Sequence, residues 1–149
     1  MKALGMVCRV IAAIGLGSIG CLHLLWATGS SWPAQSRAEL GEMVAGTERM
    51  PPGAPTVVVG IGLIGAGIVT SGAAGESRRL NFARVAVGSI LLMRGALGGV
   101  VAARALRLGE TGERFQRVDR VVYRPLCAVL GAAAIGGALT SRLRESRQR

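Results

Sequence analysis

Arg94 stands inside an apolar run, Leu91-Leu92-Met93-Arg94-Gly95-Ala96-Leu97. A guanidinium held in hydrocarbon costs at least about 2.5 kcal/mol even on the lenient insertion scale, so it must face protein and find an acceptor. Two kinds of chemistry follow: a lock between helices, or the binding of an anion. His23 is the chain's single histidine and lies near the end of the first apolar run. It could relay a proton or simply pack through a hydrogen bond. Further on, Phe115-Gln116-Arg117-Val118-Asp119-Arg120 leads into Tyr123-Arg124-Pro125-Leu126-Cys127. No acid lies within any apolar run, so Asp119, the Tyr123 hydroxyl, helix-end carbonyls and water are the partners open to Arg94. Asp119, flanked by Arg117 and Arg120, reads first as a surface ion-pair network in a helix-capping segment. The candidate polar cluster is therefore His23, Trp26, Arg94, Arg117, Asp119, Tyr123 and Arg124.

The same residues exclude much. There is no Ser-His-Asp spacing, no Gly-rich phosphate loop and no buried carboxylate pair, so no catalytic residue is assigned. One histidine and three scattered cysteines, Cys8, Cys21 and Cys127, make neither a metal site nor a disulfide framework. No metal or cofactor is expected, and the thiols are read as buried and free.

Four apolar runs position these groups: about 10–28, 56–74, 85–103 and 121–140. Each is close to the roughly 20 residues that a helix needs to cross hydrocarbon. None alternates like a barrel strand, and backbone groups cannot go unpaired in lipid, so all four are read as helices. The expected fold is all-α: a polytopic membrane protein of four transmembrane helices in a compact antiparallel bundle, one domain over residues 1–149. A competing reading makes the first run a signal peptide, with Lys2 and Arg9 ahead of it and Ala27-Thr28-Gly29 as cleavage site. A lipoprotein reading at Cys21 is weaker, because Ser18 stands where a large aliphatic residue is usual.

Composition agrees: half of the residues are hydrophobic, only 3% are aromatic, and 23 are glycine. The net charge of +10 would suggest nucleic acid in a soluble protein. Here the basic residues flank apolar runs and no basic patch is interleaved with aromatics, so nucleic acid is excluded and the bilayer is the expected partner. The one long connection, 29–55, carries four prolines, and its segment Ala34 to Val44 reads as a short surface helix. The segment Gly75 to Arg84 is a basic turn, Arg104 to Arg120 is a mixed loop, and 141–149 is a solvated basic tail. No internal repeat is evident.

With four spans, His23, Trp26 and the Phe115–Cys127 segment fall on one side of the membrane whatever the orientation. The arginine distribution slightly favours both termini in the cytoplasm of a cell whose inner membrane holds the chain, although the five arginines of the mixed third loop run against the rule. All five aromatics lie near span ends, as an interfacial belt would. Small residues four apart give packing faces: Gly62, Ala66 and Thr70; Gly95, Gly99 and Ala103; Ala128, Ala132, Gly136 and Thr140. The Gly95 and Gly99 pair equally suits a homo-oligomer face.

His23-Leu24-Leu25-Trp26-Ala27-Thr28-Gly29 with Trp32-Pro33, and Phe115 to Cys127, resemble the opening and closing motifs of the domain of unknown function 3995 family of small bacterial membrane proteins. Arg94 sits where that family's third helix carries an arginine. Arg124 replaces the serine usual before Pro-Leu-Cys, and the third loop lacks the expected aromatics. The resemblance implies a four-helix integral membrane protein of uncharacterised activity. Two function classes stay open. One is a structural or accessory component, self-associating or partnering another membrane protein. The other is a permease, or an enzyme on a lipid-soluble substrate, using the polar cluster.

Overall fold

The computed structural model describes residues 2–105 and 111–145. The described residues form seven α-helices: α1 (Lys2–Ala27), α2 (Arg37–Val44), α3 (Gly53–Ser71), α4 (Arg78–Leu97), α5 (Gly99–Ala105), α6 (Glu113–Val118) and α7 (Arg124–Glu145). One π turn, Asp119–Tyr123, joins α6 to α7. Among the described residues no strand occurs. Among the described residues four helical stretches are long and apolar enough to cross a membrane: those of α1, α3 and α4, and the continuous stretch from α6 through α7. The C-terminal positions 146–149 of the expected basic tail lie outside the described residues, and α7 runs through the tail's start to Glu145.

Boundaries shift where local chemistry decides them. Ser36 caps α2 by accepting the Glu39 amide, so the surface helix begins at Arg37, not at Ala34. Ser77 likewise caps α4 through the Leu80 amide, so the basic turn is short and Arg84 lies two turns inside a helix. At the other end, Gly98 has φ +81, a left-handed conformation that stops α4 at Leu97 and turns the chain into α5. Arg94 is therefore in the last turn of α4, not midway along a span ending at Ala103. The fourth span also differs from a start near 121: the helix already runs from Glu113, so Pro125 lies well inside it. Pro125 offers no N–H, and in an unbroken α-helix its ring would strike the Val121 carbonyl. The π turn directly ahead of it widens the helix there, with the Arg124 amide donating back to the Asp119 carbonyl.

The four long helices form two hairpins. α3 packs along α1 and α7 along α4, and the hairpins join mainly through α1 and α7. Each hairpin crosses on glycine. A Cβ on Gly20 would lie 2.8 Å from the Gly60 carbonyl oxygen, and one on Gly88 would lie 2.8 Å from that of Gly131. Backbone therefore rests on backbone, as small residues allow in helices surrounded by lipid. The seam between hairpins is also built of small side chains: Ala12, Ala133 and Ala134, with Cys8 against them. Much of the remaining helix surface is exposed Ile, Leu and Val, the covering expected against hydrocarbon.

The expected packing faces are partly corrected. Gly95 does sit on Ala128, and Gly136 on Cys8, but Gly62 faces open space and α3 uses Gly60 and Gly67 instead. Gly95 and Gly99 are occupied inside the chain, by α7 and by the Phe115 ring respectively, and so are not a free face for another copy. A shared plan between the halves also emerges. Each hairpin carries a short helix between its two long helices, α2 in the first and α5 in the second.

Candidate functional site

Asp119 occupies the first position of the π turn and is 3% exposed. Its Oδ1 accepts from Arg94 Nη2 at 2.7 Å, and its Oδ2 accepts from the Gly99 amide at 2.7 Å. Both carboxylate oxygens are thus engaged by α4 and by the first residue of α5. The expected surface network with Arg117 and Arg120 does not form: those two side chains are exposed, and Asp119 turns inward. The π turn opposite the Gly98 break carries the carboxylate there, and a Cβ at Gly98 would stand 3.1 Å from Oδ2.

Arg124 secures the same junction. Its Nε donates to the Gly95 carbonyl at 2.8 Å and its Nη2 to the Ala96 carbonyl at 2.7 Å, satisfying carbonyls that the end of α4 leaves without intrahelical partners. Tyr123 donates its hydroxyl to the Met43 carbonyl at 3.2 Å, tying the π turn to α2, and its ring lies 6.3 Å from that of Phe115. Arg94 Nη1 is buried and has no hydrogen-bond partner among the described residues.

His23 and Trp26 form a separate group. His23 Nδ1 lies 2.8 Å from the Ile19 carbonyl one turn earlier, and its ring lies tilted against that of Trp26, the centroids 5.0 Å apart. Among the described residues it has no hydrogen bond to Asp119 or Tyr123. Trp26 Nε1 donates to the Trp32 carbonyl, and Arg37 Nη1 donates to the Trp26 carbonyl, so this pair anchors the start of the long connection. The belt reading is corrected in part. Trp32 and Phe82 are exposed near span ends, whereas Trp26 and Phe115 are buried inside the end of the bundle. On the same side, Arg114 pairs with Glu39 and ties α6 to α2. The Gln35 amide and the Arg114 guanidinium hold the Glu39 carboxyl below the usual carboxylate range.

The sequence reading missed a second charged knot at the opposite ends of the helices. Arg84 is 0% exposed, and it donates to the Val69 carbonyl, the Gly75 carbonyl and the Glu76 carboxylate at 2.7 to 2.8 Å. The other oxygen of Glu76 meets Arg9 at 2.6 Å. Burial pushes the Glu76 carboxyl up, but the Arg9 and Arg84 guanidinium groups outweigh it and hold the group below the usual carboxylate range. The signal was available: between Glu48 and Glu110 the chain has no other acid.

Comparison with protein families matches residues 16–134 to the family described as Protein of unknown function (DUF3995). The chain belongs to that family. The match takes in His23, Trp26, Arg94 and the whole segment from Phe115 to Cys127, which are the residues that suggested the family. No curated protein and no solved structure matches the chain. Among the described residues of this DUF3995 member, no group of three His, Cys, Asp or Glu side chains is placed to hold a metal ion.

Proposed function

We propose that this DUF3995 member is a structural or accessory component of the cell's inner membrane, with both termini in the cytoplasm. The observation that carries this reading is the inward engagement of Asp119: one oxygen accepts from Arg94 and the other from the Gly99 amide. A carboxylate so engaged, and only 3% exposed, fixes helix register and presents no open face to a substrate. Arg124 is spent in the same way on two carbonyls of α4. The partner is another membrane protein or a further copy of the chain.

The test is the stoichiometry of the full chain released gently from its native membrane, for wild type and for Arg94→Leu/Asp119→Leu. A defined complex that survives the double substitution supports an accessory role in which the pair acts only as a fastener. A monomer in both overturns it.

One observation favours a second reading, a protein that handles a small molecule: Arg94 Nη1 is buried without an acceptor. A ligand oxygen there would complete the guanidinium's set of bonds. On this reading Arg94→Leu folds but loses any ligand-dependent rise in thermal stability.

A further inference from the structure

We infer that Arg117 and Arg120 form a docking site for the headgroup of an anionic phospholipid, in the leaflet on the side of α2 and α6. The inference goes beyond the accessory reading and holds whether or not the chain has a protein partner. In sequence, Asp119 is the local counter-ion for both arginines. In the fold its carboxylate is buried and bonded to Arg94 and Gly99, so it neutralises neither. Arg117 and Arg120 are exposed and make no hydrogen bond or ion pair among the described residues.

Their height completes the argument. Val121 is 68% and Val122 47% exposed, and exposed Leu126 and Val129 continue the apolar surface of this helix. At a rise of about 1.5 Å per residue, the two arginines stand within one turn of the start of that apolar surface, which is where headgroups would meet it. Exposed Trp32 lies on the same side, where an indole anchors at the interface. A planar guanidinium presents paired N–H groups that match phosphate oxygens, and phosphodiesters supply negative charge at that depth.

The experiment counts lipid retained by the purified full chain, using native mass spectrometry after exposure to equal amounts of phosphatidylglycerol and phosphatidylcholine. The wild type is expected to retain phosphatidylglycerol preferentially. That preference should fall about fivefold for each arginine removed in Arg117→Gln and Arg117→Gln/Arg120→Gln. It should persist in Arg78→Gln/Arg79→Gln, which removes two exposed arginines from the opposite face. Equal retention of the two lipids by wild type overturns the inference. So does undiminished preference in the double variant, an equal loss in the control pair, or displacement of the lipid by soluble glycerol 3-phosphate, which would assign the site to a free phosphate.

Discussion

Arg94 and Asp119, separated by 25 residues of sequence, meet at 2.7 Å where the end of α4 crosses the π turn ahead of α7. Removing one member leaves the other buried and unpaired, which costs more than removing both. Asp119→Leu is expected to destabilise the fold by about 3 kcal/mol, and Arg94→Leu/Asp119→Leu by clearly less. Thermal unfolding of the single and double variants in detergent gives the coupling. Additive effects would show that the pair contributes nothing.

The glycine crossings yield a sharper contrast. Gly88→Ala places a methyl 2.8 Å from a backbone oxygen, which cannot rotate away. It is expected to cost about 1–3 kcal/mol. Gly62→Ala meets nothing within 4 Å and removes a helix-weakening glycine, so it should be neutral or stabilising by up to about 1 kcal/mol. Unfolding midpoints in the same detergent decide between them, and equal losses would contradict the crossing geometry.

Glu76 sets an acid limit. Its carboxyl in the folded chain titrates below the usual carboxylate range, so the unfolded chain binds its proton at higher pH. The stability it contributes is fully present above the ordinary carboxylate range and is lost as pH falls through that lower value. Wild type should therefore lose stability on acidification below about pH 4.5, and Glu76→Gln should be less stable at pH 7 but lose less on acidification. Parallel curves would mean that the Arg9–Glu76–Arg84 knot contributes nothing.

Sidedness is testable with single cysteines at Arg49, Arg79 and Gly112 in a chain whose three native cysteines are replaced. A membrane-impermeant reagent applied to intact cells should label positions 49 and 112 and spare 79, if both termini are cytoplasmic. Labelling at 79 alone inverts the chain. Labelling at 49 without 112 would break the four-span topology.

The four spans were legible because hydrocarbon thickness and backbone hydrogen bonding leave few ways to write a crossing helix. The pairing of Arg94 with Asp119 was within reach for a related reason: an intramembrane arginine needs an acceptor, and few acids were available. What could not be read was local geometry. The stop at Gly98 depends on one left-handed residue, and the inward turn of Asp119 depends on a π turn that composition does not announce. His23 looked like a member of the cluster because it lies on the same side of the membrane, but helix rotation gives its ring to Trp26. Arg84 was hidden by its position at the edge of an apolar run, where a charge reads as part of a solvated turn.

The division into two hairpins bears on how the chain is made. Gly20 and Gly60 belong to the first half, so α1 and α3 can close on each other while the ribosome is still adding the second. Arg9, in α1, meets Glu76 only once that residue has been added, five residues after α3 ends. Arg84, arriving next, takes the remaining oxygen of the same carboxylate and sets the second hairpin beside the first. One acidic side chain thus joins a hairpin already synthesised to one still to come.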